Sequence, residues 1–123
     1  MIITPISNAL GAEISEIDLS VRLSNNQTGK LYDAFLKYCV LFFREHSLSA
    51  TQVLEFSKTF GAPAIYPFIQ GLPEVPEVIE IIKTETDENN FGGSWHSDTS
   101  YMHRPAKATL LYAKEVPEIV FIG

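Results

Sequence analysis

Hydrophobic positions recur at two different periods along this chain, and the change of period divides it. Residues 1–6 form a short apolar run broken by Pro5, and residues 11–19 alternate weakly through Ala12, Ile14 and Ile17. Both read as short strands joined by a Ser7-Asn8 turn, because successive side chains of an extended chain face opposite sides. From Leu31 the spacing lengthens to three and four. Leu31, Ala34, Phe35, Tyr38 and Cys39 then form one stripe, the buried face of a helix. Ser24 and Gln27 have capping-box spacing, so that helix is predicted to start at Ser24. Cys39 lies on the stripe and is expected in the core, with no sequence neighbour to lower its pKa. Residues 40–43 are continuously apolar and predict a strand buried on both faces. Ser49 and Gln52 repeat the capping box. Val53, Phe56 and Phe60 give a second helical stripe, and Gly61 is the expected C-terminal cap.

Beyond Gly61 the pattern breaks. Residues 62–76 contain Pro63, Pro67, Gly71, Pro73 and Pro76, which predicts a loop, and an aromatic one through Tyr66 and Phe68. Strands are predicted over 78–83 and 108–113. A polar, acidic connection is expected over 84–91, and a turn over 102–105.

Composition narrows the class. At 123 residues one domain is expected, and 46% hydrophobic residues with eight Phe and five Tyr suffice for a core. A net charge of −6 argues against nucleic acid and anionic membrane surfaces as partners. One cysteine excludes an internal disulfide framework and suits a reducing cytosol, so a cytoplasmic location is expected. No apolar stretch is long enough to predict a membrane span, and no signal peptide is read at the start.

The candidate chemistry sits in residues 95–101, Trp-His-Ser-Asp-Thr-Ser-Tyr. Read as an extended strand, this run puts His96 and Asp98 on one side, where an imidazole and a carboxylate can close on one metal ion. Such a pair is two thirds of the 2-His-1-carboxylate facial triad of non-haem Fe(II) oxygenases, which leaves open positions on the ion. Trp95 has the opposite parity and is expected to pack the segment from behind. His103 has the wrong parity for a third ligand, and His46 reads as a solvated loop residue.

Around this pair the sequence resembles the taurine dioxygenase/2,4-D dioxygenase family of 2-oxoglutarate-dependent oxygenases. The likeness rests on residues 92–101, on Pro105, and on the strand 108–113 leading to Lys114-Glu115-Val116-Pro117. More diffusely, it includes Gly11-Ala12 followed by Ile14 and Ile17-Asp18-Leu19. The resemblance implies a double-stranded β-helix, or jelly roll, with flanking helices. This chain would supply its N-terminal part, an α+β fold. It implies Fe(II) as cofactor, held by His96, Asp98 and a later histidine, with 2-oxoglutarate as co-substrate. The reaction implied is O2-dependent hydroxylation of a small organic acid. Tyr66 stands where taurine dioxygenase has a substrate-binding histidine, and Thr99 is a second candidate substrate contact. The residues before Trp95, Gly92, Gly93 and Ser94, differ from those of taurine dioxygenase, so another small acid is expected.

The family pattern continues after the Glu-Val-Pro step into Gly-Gly-Asp-Thr, whereas here residues 118–123 read Glu-Ile-Val-Phe-Ile-Gly. The 2-oxoglutarate-binding threonine and arginine of the family are not among these residues. The expectation is a truncated domain over 1–123 that does not turn over alone and self-associates through exposed strand edges. Two other readings stay open: a jelly-roll module binding a metal such as Zn2+ without oxygenase activity, and a non-catalytic fragment that needs a complementing chain.

Overall fold

The computed structural model describes residues 1–84, 86–87 and 94–116. Five elements follow in order: β1 (Ile2–Pro5), β2 (Ala12–Ser15), α1 (Asn25–Tyr38), β3 (Leu41–Phe43) and α2 (Ala50–Ser57). The three strands form one sheet in the order β1-β2-β3, with β1 antiparallel to β2 and β2 parallel to β3. This is an α+β unit, as the two hydrophobic periods require.

The reversal between β1 and β2 is built from the expected serine. Ser7 Oγ accepts from the amides of Ala9 and Leu10 and donates to the Leu10 carbonyl. Gly11 closes the turn at φ 90, a left-handed conformation that side chains with a Cβ rarely adopt. A parallel neighbour for β2 cannot be reached by a tight turn, so the chain crosses over through α1. Both helices start where their capping boxes place them. In each, the serine accepts from the backbone three residues on, and the glutamine there accepts from the serine amide. Asp18 Oδ1 accepts from the Ser20 hydroxyl and amide, and both bonds hold its carboxyl below the usual carboxylate range.

Register decides the core. Ile3, Ile14 and Phe43 lie across the sheet on one face, with Ala12 and Leu41 beside them. Ile14 meets Leu19, Leu31 and Phe56 in the buried cluster, and Leu31 is fully buried. Burying a side chain of that size stabilises a fold by about 1.5–3 kcal/mol. Phe43, Phe56 and Phe60 stack edge to face behind it, at centroid separations of 5.1 and 5.7 Å.

Several sequence expectations change. The β3 segment is not buried on both faces: Phe42 points to the outer side of the sheet and is 42% exposed. Helices cover only the inner face. Cys39 is exposed, because α1 stops at Tyr38 and Cys39 turns the chain toward β3 at φ 63. The α2 cap is Lys58 instead of Gly61. His46 is half-buried, with its ring edge-on to Phe43 at 6.5 Å.

The strands expected at 78–83, 95–101 and 108–113 are not strands. A strand exists through its ladder, and among the described residues these segments make only single bonds, such as the Leu72 amide to the Val78 carbonyl at 2.8 Å, and no ladder. The jelly roll is accordingly not visible in the described residues. The alternation nevertheless persists in 108–113. Leu110 packs on the core cluster, Leu111 is 86% exposed, and Tyr112 turns inward again. The Tyr112 hydroxyl accepts from the Leu48 amide at 3.0 Å and donates to the His46 carbonyl at 3.2 Å. Those contacts fix the segment beside the N-terminal unit. The 62–76 loop closes on itself at Gly71, where a Cβ would collide with the Pro76 carbonyl. The connection expected over 84–91, the Gly92-Gly93 step and the apolar end at 119–122 fall wholly or largely outside the described residues.

Candidate metal centre

The segment from Ser94 onward is short of regular structure but well supplied with local hydrogen bonds. His96 Nδ1 lies 2.6 Å from the Ser94 carbonyl oxygen. A carbonyl can only accept, so Nδ1 carries the proton and the free lone pair of neutral His96 is on Nε2. Nε2 faces Asp98 Oδ1 at 3.1 Å, with the two side chains 51% and 52% exposed. The pair thus comes together without a sheet.

Two acceptor atoms at that separation require something positive between them. A proton suffices: the Ser94 carbonyl first, with the Asp98 carboxylate adding to it, raises the His96 pKa above its ordinary value against opposing desolvation. A metal ion also suffices. Ligand bonds of about 2.0–2.2 Å meeting at a right angle set two donors about 3.0 Å apart, as at adjacent corners of an octahedron. The observed 3.1 Å fits that arrangement. The donor set, one imidazole and one carboxylate, suits a divalent first-row metal. No third His, Cys, Asp or Glu joins them among the described residues, and His103 is exposed.

After Asp98 the chain turns back. Thr99 adopts φ 46, its carbonyl accepts from the Met102 amide, and its hydroxyl accepts from the Ala106 amide at 3.2 Å. That hydroxyl, read from sequence as a substrate contact, is therefore engaged in holding the reversal and keeps one hydrogen to donate. The reversal returns Thr109 to the pair, where its Oγ1 donates to Asp98 Oδ2 at 3.0 Å. Sequence reasoning missed Thr109. Its signal was the alternation of residues 108–113, which turns Thr109 away from the core face of Leu110 and Tyr112.

Trp95 does not pack from behind. It is fully solvent-exposed, because nothing among the described residues stands on its side of the segment. Tyr66 and Phe68 are in edge contact at 5.4 Å, and Phe68 reaches the Tyr101 ring at 6.5 Å. The 62–76 loop thus meets the segment three residues beyond Asp98. Partial desolvation and the nearby Tyr66 phenol raise the Tyr101 pKa. The loop encloses an open cleft of about 540 Å³ lined by Tyr66, Phe68, Ile69 and Leu72 among others; His96 and Asp98 are not part of its lining.

Comparison with known proteins gives the setting of this arrangement. Residues 2–120 match the family described as "Taurine catabolism dioxygenase TauD, TfdA family". An alkylsulfatase of Acinetobacter baylyi is 29% identical over 114 residues, covering 92% of this chain and 35% of that protein. An alpha-ketoglutarate-dependent sulfate ester dioxygenase of Pseudomonas putida is 26% identical over 114 residues, covering 92% and 37%. The crystal structure of a taurine dioxygenase from Burkholderia xenovorans superposes with a TM-score of 0.69 at 30% identity, over 84% of this chain and 36% of that one. The chain spans little more than a third of the length of these relatives. By the extent of the family match, this chain belongs to the taurine catabolism dioxygenase TauD, TfdA family.

Proposed function

We propose that these residues form the His-x-Asp part of the iron centre of an Fe(II)- and 2-oxoglutarate-dependent dioxygenase that hydroxylates a small organic acid within a jelly-roll domain. The observation that carries the reading is the 3.1 Å approach of His96 Nε2 to Asp98 Oδ1, with the histidine tautomer already set by the Ser94 carbonyl. Iron held there would supply the oxidative chemistry that couples decarboxylation of 2-oxoglutarate to hydroxylation of the substrate. The roles of this chain are to bind and to orient. His96 would ligate the ion through Nε2 and Asp98 through Oδ1, while the aromatic 62–76 loop, with Tyr66 and Phe68, bounds the approach beside Tyr101. Tyr66 and Thr99 are the proposed substrate contacts. Alkyl sulfates are the first acids to assay, because two relatives carry sulfate ester names.

Among the described residues no helix is long and apolar enough to cross a membrane. The free thiol of Cys39 suits the cytoplasmic setting included in this proposal.

Metal loading tests the reading. Mn(II) or Fe(II) should bind at one ion per chain, weakly because only two protein ligands meet here among the described residues, and His96→Ala or Asp98→Ala should abolish that binding. Equal binding by all three proteins refutes the centre. With two ligands the 123 residues alone are expected to form no succinate from 2-oxoglutarate. Succinate production above a His96→Ala control would overturn that expectation. A second reading, a non-catalytic unit completed by another chain, is favoured by the full exposure of Trp95. It predicts co-purification with a complementing polypeptide and no metal loss in the His96 variant.

A further inference from the structure

Asp98 has two carboxylate oxygens, and the structure gives them different partners. Oδ1 faces His96 Nε2 at 3.1 Å, whereas Oδ2 accepts the Thr109 hydroxyl at 3.0 Å. We propose that Thr109 is a positioning residue that holds the Asp98 carboxylate in a one-oxygen mode toward the metal. This rests on the metal reading above and adds to it a specific geometric role.

The physical reason lies in what a free carboxylate does. Unrestrained, it can offer a cation both oxygens or rotate about its terminal torsion, which is broad and roughly two-fold. A chelating carboxylate would occupy a second corner of the octahedron. Chemistry that brings a co-substrate and O2 to one ion needs those corners open. A hydroxyl donor on Oδ2 removes that oxygen from competition and fixes the plane of the group. Partners of metal ligands commonly work in this way. The backbone is arranged for it. Thr99 pins Ala106 across the reversal, and Leu110 and Tyr112 anchor the adjoining residues to the N-terminal unit. Thr109, of opposite parity to both, is left pointing at Asp98. Nothing else among the described residues donates to Oδ2.

The test compares the unchanged chain with Thr109→Val, Thr109→Ser and Asp98→Ala. Valine keeps the shape and removes the donor; serine restores the donor. Mn(II) affinity is read from the free-ion electron paramagnetic resonance signal, and Co(II) absorption reports coordination number and geometry. Thermal unfolding is followed in parallel. Thr109→Val should weaken Mn(II) binding on the order of 10-fold and change the Co(II) spectrum, and Thr109→Ser should restore both. Unchanged binding and spectrum in Thr109→Val, with Asp98→Ala impaired, overturns the role of Thr109 alone. Unchanged binding in Asp98→Ala, or none in the unchanged chain, overturns the metal reading with it. Loss of binding in Thr109→Val together with loss of folding, unrescued by serine, also counts against the proposal, since a structural role would then suffice.

Discussion

His96 shows how one hydrogen bond assigns a side chain its chemistry. With Nδ1–H committed to the Ser94 carbonyl, only Nε2 can ligate, and only when unprotonated. That carbonyl and the Asp98 carboxylate raise the His96 pKa, so the protonated form persists to higher pH than for a free imidazole. Protons therefore compete with metal in acid. Mn(II) affinity should climb by about tenfold per pH unit below the His96 pKa and level off above it, as one proton is displaced per ion. Calorimetric titration over about pH 5.5–8.5, the range in which histidine changes charge, checks this. A flat profile would mean that His96 is not a ligand. At this scale the closeness of His96 and Asp98 was legible because they stand two positions apart in sequence, although the strand expected to align them is absent. Thr109 was not, since the turn read over 102–105 does not by itself state which residue beyond it returns to Asp98. Trp95 was misjudged for a related reason: burial depends on what stands opposite, and a strand's own residues do not state that.

Both helix starts rest on capping boxes, but the two boxes are not equivalent. Gln52 Nε2 also donates to the Ser20 carbonyl at 3.0 Å, tying α2 to the turn that Asp18 organises. Gln27 makes no such distant bond among the described residues. Ser24→Ala and Ser49→Ala should each cost about 1 kcal/mol, and Gln52→Ala should cost more than Gln27→Ala. Urea unfolding midpoints measure the difference, and equal losses would remove the role assigned to the Ser20 bond. The helices, their starts and β1 to β3 were legible because caps, turns and stripes are codes written in neighbouring residues. The segments 78–83 and 108–113 carry the same alternation as true strands, yet a strand also needs a partner, and pairing is not written in the segment that is paired. That is why the β1 and β2 strands with their turn could be read from sequence, whereas the parallel pairing of β3 with β2 could not.

Taken whole, the described chain is a covered N-terminal unit with a site segment laid against it, and much apolar surface remains open. Trp95 is fully exposed, Leu111 is 86% exposed, and Ile82 is 73% exposed. Apolar surface of this kind drives association when contiguous. Sedimentation velocity should show a weight-average coefficient that rises with concentration, and Leu111→Lys should reduce the rise. A single monomer boundary throughout would refute this. The division within the molecule has a kinetic corollary. Among the described residues the three strands and two helices lie within the first 57 positions, whereas residues 108–113 join late in the sequence, chiefly through Leu110 and the Tyr112 phenol. Nearby contacts close fastest, so the transition state for folding is expected to hold the sheet and helices but not the His96/Asp98 pair. Interactions absent from a transition state alter how fast a protein unfolds, not how fast it folds. An ion bound between His96 and Asp98 would then act as a brake on opening, lengthening the lifetime of the native chain while leaving its rate of formation untouched.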